Sequence, residues 1–184
     1  GDQHDIAADI PAEDRGKFIF GFLRHPLRAE VSNWRYHQFS WKSKAMTFEG
    51  WCEWRYGGQP ADYGYELGLK DHEVEYGHIF NVRPAAGYFC DVDGHCIADH
   101  ICRYEELTSE IKWLSEKLDM NLDISDYNMM KTANHDVPQP DVSPRCIDLI
   151  YGAKAIDFEI HEAEGEVPTS YTCPTVQNYG YVRS

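Results

Sequence analysis

The chain has 184 residues, 42% of them hydrophobic and 14% aromatic, enough to bury one sizeable core and too much for a disordered protein. Its net charge of −14 argues against general nucleic-acid binding, which needs clustered cations to displace counterions. No apolar run approaches the roughly 20 residues of a membrane-spanning helix, and GDQHDIAADI has neither the basic flank nor the apolar stretch of a signal peptide.

Residues 4–15 read as a short helix with a weak apolar face (Ile6, Ala7, Ile10) stopped by Pro11. FIFGFL, 18–23, is a short apolar run and reads as a buried, parallel strand. Arg24-His25-Pro26 then opens a helix to about residue 39, since proline suits the first helical position. Leu27, Val31, Trp34 and Gln38 share one stripe of that helix, with Arg28, Ser32 and Arg35 on the adjacent one. A second helix is expected over 47–56, followed by the Gly-rich loop YGGQPADYGYELG. Residues 87–102 alternate around Asp93-Gly94 and predict a small β-hairpin. The clearest amphipathic helix is 104–118, apolar at 107, 111, 114 and 118. A Pro-rich loop over 121–144 leads to a last helix at about 144–158, with Ile147, Ile150, Tyr151 and Ile156 inward. The stretch 163–184 reads as an extended tail.

Strand–helix alternation with sparse hairpins gives an α/β fold in a single domain, 1–184. Six cysteines show neither CxxC nor Cys/His zinc-finger spacing, so no structural zinc is expected. Cys90 and Cys96 flank the hairpin turn and are read as a pair of reduced thiols.

Charge is unevenly spread. Arg15, Lys17, Arg24, Arg28, Arg35, Lys42 and Lys44 fall in a stretch whose one acid is Glu30. A basic island in an acidic chain suggests a local anion site, where a lone basic run would ordinarily be a solvated helix face. The island coincides with the strand-to-helix junction. There a helix N-terminus offers unpaired N–H groups and its positive dipole end, and Arg24 offers a fork-shaped contact to phosphate oxygens. Ser32, two turns on, can donate a hydroxyl.

FIFGFLRHPLRAEVSNWRYHQF resembles the 3′-phosphate-binding signature of sulfotransferases that use 3′-phosphoadenosine 5′-phosphosulfate (PAPS). Arg24, Pro26, Arg28, Ser32 and Trp34 occupy the signature positions, with His25 where Asn or Asp is usual and Trp34 where Tyr is common. HDIAADI is similar to the segment preceding this strand in carbohydrate-type, membrane-associated members. HIFNVRPAAGYFCDVDGHCIADHICRYEEL and IYGAKAIDFEI resemble later segments of the same family, in order, from His4 to Glu159. The resemblance implies a P-loop-like parallel sheet flanked by helices, and transfer of a sulfuryl group from PAPS to a hydroxyl of a small molecule or glycan, leaving 3′-phosphoadenosine 5′-phosphate (PAP). It makes His4 the base, with His78 and His100 weaker candidates, and Arg24, Arg28, Ser32 and Arg103 the cofactor-binding residues. Arg103 and Glu105 are expected to form an ion pair.

The family's Gly-rich phosphosulfate loop, G-x-x-x-x-G-K-[ST] or similar, does not occur in these residues. The expectation is a domain lacking its first strand–loop–helix, with no turnover by itself, its FIFGFL edge open to self-association. The rival reading is a non-catalytic nucleotide-binding or scaffold relative. A kinase-like enzyme is a weaker rival, since no phosphate loop or magnesium-binding acid can be pointed to. The compartment stays open: cytoplasm for a bacterial chain, Golgi lumen for a eukaryotic one.

Overall fold

A computed structural model describes residues 7, 10–40, 46–58, 84–91, 95–122 and 138–163. Among them the chain is mixed α/β, with four α-helices and a small two-stranded parallel sheet. In chain order these are β1 (Phe20–Leu23), α1 (Pro26–Ser40), α2 (Phe48–Tyr56), β2 (His100–Arg103), α3 (Leu107–Leu118) and α4 (Pro144–Glu162). Of the helix expected at 4–15, residues 4–6, 8 and 9 lie outside the described residues, and its described end is a short 3-10 helix, Ala12–Asp14, after Pro11; the loop after Gly58 and the tail beyond Ala163 also lie outside. No described helix is long and apolar enough to cross a membrane.

Where length suggests one domain, the chain gathers into two compact units. One takes residues up to His25, Pro84–Met120 and everything from Ile156; the other takes Pro26–Arg83 and Asn121–Ala155.

The first unit is built on the sheet. β1 pairs with β2 in parallel, Phe20 opposite His100 through Leu23 opposite Arg103. Side chains alternate along a strand, so Leu23 and Ile101 share a face and bury together with Ala86 and Ile160. Gly21 lies on that face because a Cβ there would collide with the Phe89 ring. The other face of β1 departs from the sequence reading, because Phe20 and Phe22 are exposed. They continue a row of ring contacts that begins with Phe18 on Trp113 of α3, so this strand is buried on one face.

The hairpin expected over 87–102 is also reduced. Ala85–Phe89 form a 3-10 helix, and an antiparallel bridge joins Cys90 to Cys96. The main-chain bonds here are Asp91 N–H to His95 O (2.8 Å) and Ile97 N–H to Phe89 O (2.9 Å). Residues 100–103, expected as the returning arm, instead take their ladder bonds from β1. Asp157 explains the competition. Its two carboxylate oxygens accept the N–H groups of Ala85 and Ala86, each at 2.8 Å, and start the 3-10 turn where a strand would begin.

In the second unit, α1 buries Pro26, Glu30, Trp34 and His37, spaced four, four and three residues apart. This replaces the expected stripe of Leu27, Val31, Trp34 and Gln38, of which Trp34 alone is buried. Thr47 caps α2 by accepting the Gly50 N–H at 3.0 Å, and α2 sends Trp51, Cys52, Trp54 and Arg55 inward. The helix ends at Gly57, and Gly58 takes φ +71°, a turn conformation that glycine adopts without strain. In α4, Cys146 and Ile150 are buried while Ile147 and Tyr151 face outward, reversing the expected inward pair. The buried row continues through Lys154, whose backbone (φ −130°, ψ 28°) kinks the helix.

Candidate functional site

Parallel strands leave their chain ends side by side, and α/β sheets bind ligands at that carboxyl edge. Leu23 and Arg103 are the last paired residues, so Arg24 and Tyr104 emerge together from β1 and β2. The Arg24 guanidinium lies over the Tyr104 ring, 5.3 Å from its centroid. Its Nε is shut off from solvent and meets no hydrogen-bond acceptor among the described residues. A desolvated donor of this kind is uncommon, because burying one without an acceptor costs about 1–3 kcal/mol. The planar fork suits a carboxylate or phosphate.

Next along the chain, the His25 N–H donates to both oxygens of Glu105, at 3.1 and 3.2 Å. Glu105 also meets Nε2 of His161 at 3.2 Å, and the His25 ring packs edge-on against Phe158 and His161. Burial raises the Glu105 carboxyl, but the hydrogen bonds from His161 and the His25 N–H outweigh it and hold the group below its ordinary range. Glu105 therefore stays ionised and fixes the backbone beside Arg24.

Arg103 behaves otherwise than expected. Its guanidinium pairs with Glu106 at 2.6 Å, one residue beyond the expected Glu105, and its N–H donates to Glu110 at 3.1 Å. Glu105 is turned to His25 and His161, so the Arg103–Glu105 pair is replaced by two separate contacts. Arg103 is thus already engaged through both its guanidinium and its N–H.

Arg28 and Ser32 stand on α1 in the other unit, Arg28 exposed and Ser32 half-buried. Trp34, at the aromatic position of the signature, has an internal role: its indole N–H donates to Met46 O at 3.1 Å and its ring meets Phe48 edge-on. His4 and His78 lie outside the described residues. His100 meets Glu110 at 3.1 Å and packs on Trp113.

The charge cluster around Glu30 is what sequence reasoning missed. Fully buried, Glu30 accepts from Lys154 Nζ (2.9 Å) and Trp51 Nε1 (3.2 Å) and pairs with Arg55 (3.3 Å). Burial raises its carboxyl, yet Arg55 and Lys154 together bring it down to about 2. Beside it, burial and the Arg55 charge push His37 down to about 3, so that imidazole is neutral. Lys154 lies 124 residues from Glu30, a pairing that leaves no local pattern. The one acid of the basic island is thus withdrawn into the interior.

No family model, curated protein or solved structure matches the chain.

Proposed function

We propose that the chain binds the 3′-phosphate of a 3′-phosphoadenosine nucleotide through Arg24, as part of sulfuryl transfer from PAPS to an acceptor hydroxyl. The observation that carries this reading is the Arg24 guanidinium at the carboxyl end of β1, set on Tyr104 with a shielded, unaccepted Nε. The signature-like run from Phe18 to Trp34 supplies the reason to name this phosphate. By that resemblance Arg28 and Ser32 serve the same group, Arg103 a lesser part, and the fold is a P-loop-like, doubly wound sheet.

In the reaction an acceptor oxygen attacks sulfur in line, the bond from sulfur to the phosphate oxygen breaks, PAP leaves, and a base takes the hydroxyl proton. His4 is that base by resemblance. These residues contain no Gly-rich Lys loop to neutralise charge at the breaking bond, and losing even one such donor typically costs about 10²–10³ in rate. The 184 residues by themselves are therefore proposed to bind nucleotide without measurable transfer, and to associate through the open side of β1.

Calorimetry tests the binding. PAP should bind more tightly than 5′-AMP, and Arg24→Ala should remove the difference, a loss of about 1.5–3 kcal/mol for a charge-assisted contact. Equal affinity for the two nucleotides sinks the reading. A labelled-donor assay separates the enzyme from the binding module: transfer by these residues, abolished by His4→Ala, would overturn the expected inactivity.

A further inference from the structure

We propose that His100, Cys102 and Glu110 form a binding site for one zinc ion, independent of the nucleotide reading. His100 and Cys102 are two residues apart on β2, so their side chains leave the same face of the strand. The short 3-10 turn Tyr104–Glu106 then folds the chain back, and α3 brings Glu110 over that face in its first turn. The donor atoms of the three residues all lie within 4.8 Å of one another, and His100 Nε2 is 3.1 Å from Glu110 Oε2. A tetrahedral ion at about 2.0–2.3 Å from nitrogen, oxygen and sulfur donors separates them by roughly 3.3–3.7 Å. Seating the ion therefore asks the donor atoms to close by no more than about 1.5 Å, within side-chain rotamer freedom.

The donor chemistry selects the ion. One imidazole, one thiol and one carboxylate do not suit calcium or magnesium, which take oxygen ligands, whereas zinc accepts all three. Glu110 is oriented by its surroundings, because its Oε1 is held by the Arg103 N–H, leaving Oε2 for the ion, and the His100 ring packs at a tilt 4.3 Å from Trp113. Cys102 is buried and the other two are half-buried, so solvent reaches a fourth position and three protein ligands would be completed by water. On binding, the Cys102 sulfur forms its bond to the ion and the thiol proton goes to solvent. In the absence of metal the same trio is self-satisfied, with Glu110 accepting from its neighbours.

Cobalt titration of the reduced, chelator-treated full chain tests this. One equivalent of Co²⁺ should give a near-ultraviolet thiolate-to-cobalt band with the intense visible bands of four-coordination, and zinc should displace it. Cys102→Ser should abolish the ultraviolet band. Glu110→Gln, whose amide oxygen can still accept the Arg103 N–H, should weaken cobalt binding by at least about tenfold. A band that survives Cys102→Ser places the metal on other cysteines and overturns the proposal, as does a titration with no band. If Cys102→Ser does not fold, Glu110→Gln decides, and unchanged cobalt affinity overturns the site.

Discussion

In the unit containing α1 and α2, one carboxylate is surrounded by cations in a dry interior. In the sheet unit, carboxylates grip main-chain N–H groups instead. Glu30 faces Arg55, Lys154 and the Trp51 indole. Asp99 takes the Ile19 N–H, Asp157 those of Ala85 and Ala86, Glu105 that of His25 and Glu110 that of Arg103. Acids engaged with the backbone leave a cation such as Arg24 without a carboxylate partner among the described residues. The contrast is between one carboxylate that gathers two cations around it and carboxylates that are spent on main-chain donors.

The largest expected effect removes the carboxylate that Arg55 and Lys154 share. Glu30→Ala leaves Arg55 and Lys154 facing each other without the charge between them, and should lower unfolding stability by about 3–5 kcal/mol in a denaturant titration. Replacing Glu30, Arg55 and Lys154 together with methionine should recover most of that loss; a triple variant as unstable as the single one would mean that packing, not charge, is at stake.

A smaller effect comes from pH. The unfolded His37 imidazole takes up a proton below its ordinary 6.5, the folded one only near 3. Its contribution is present above 6.5 and declines as pH falls, by up to about 1.4 kcal/mol per unit. Glu30 adds its own loss between 4.5 and about 2. Denaturation midpoints should therefore drop already between pH 6.5 and 4.5, and His37→Gln should flatten that interval while keeping the steeper fall below it.

The smallest effect sharpens the comparison from the other side. Arg24→Ala removes a contact with Tyr104, worth about 0.5–1 kcal/mol, and should leave the melting temperature nearly unchanged while the proposed preference for PAP over 5′-AMP is lost. A destabilisation as large as that of Glu30→Ala would make Arg24 a structural cation.

Much of the local structure was legible because it depends on local chemistry. Pro26 marks the start of α1, the helix expected over 47–56 is α2, and the 104–118 pattern is α3 after a single 3-10 turn. The pairings that shape the rest are long-range. Nothing near residue 100 says that His100 pairs with Phe20 rather than with the hairpin arm before it, and nothing near residue 85 announces Asp157. Burial of Glu30 runs against the hydrophobic pattern that defined the expected α1 stripe, since a helical period assigns acids to water. For the candidate site, the motif pointed to Arg24 and the partners did not follow. Glu105 went to His25 and His161, and Arg103 to Glu106, because neighbouring acids in a run such as YEEL differ only in the direction that the turn gives them.

Each unit is closed by contacts between segments far apart in the chain. β1 must find β2 some 80 residues later, Glu30 waits for Lys154, and Ala86 waits for Asp157. The segments of the two units alternate along the sequence, so neither can complete its interior while the last helix is still unmade. During synthesis the nascent chain therefore carries half-finished interiors until residues 150–160 have emerged, and the ordinary N-terminal-first order of folding is denied to it. Long-range parallel pairing is slow in any case, since loop closure precedes the contacts that reward it. No single cut separates the units into independent fragments, and a product ending before α4 would lack groups that both interiors need. In such a chain α4 acts as a lock, and its arrival is the event that permits either unit to become native.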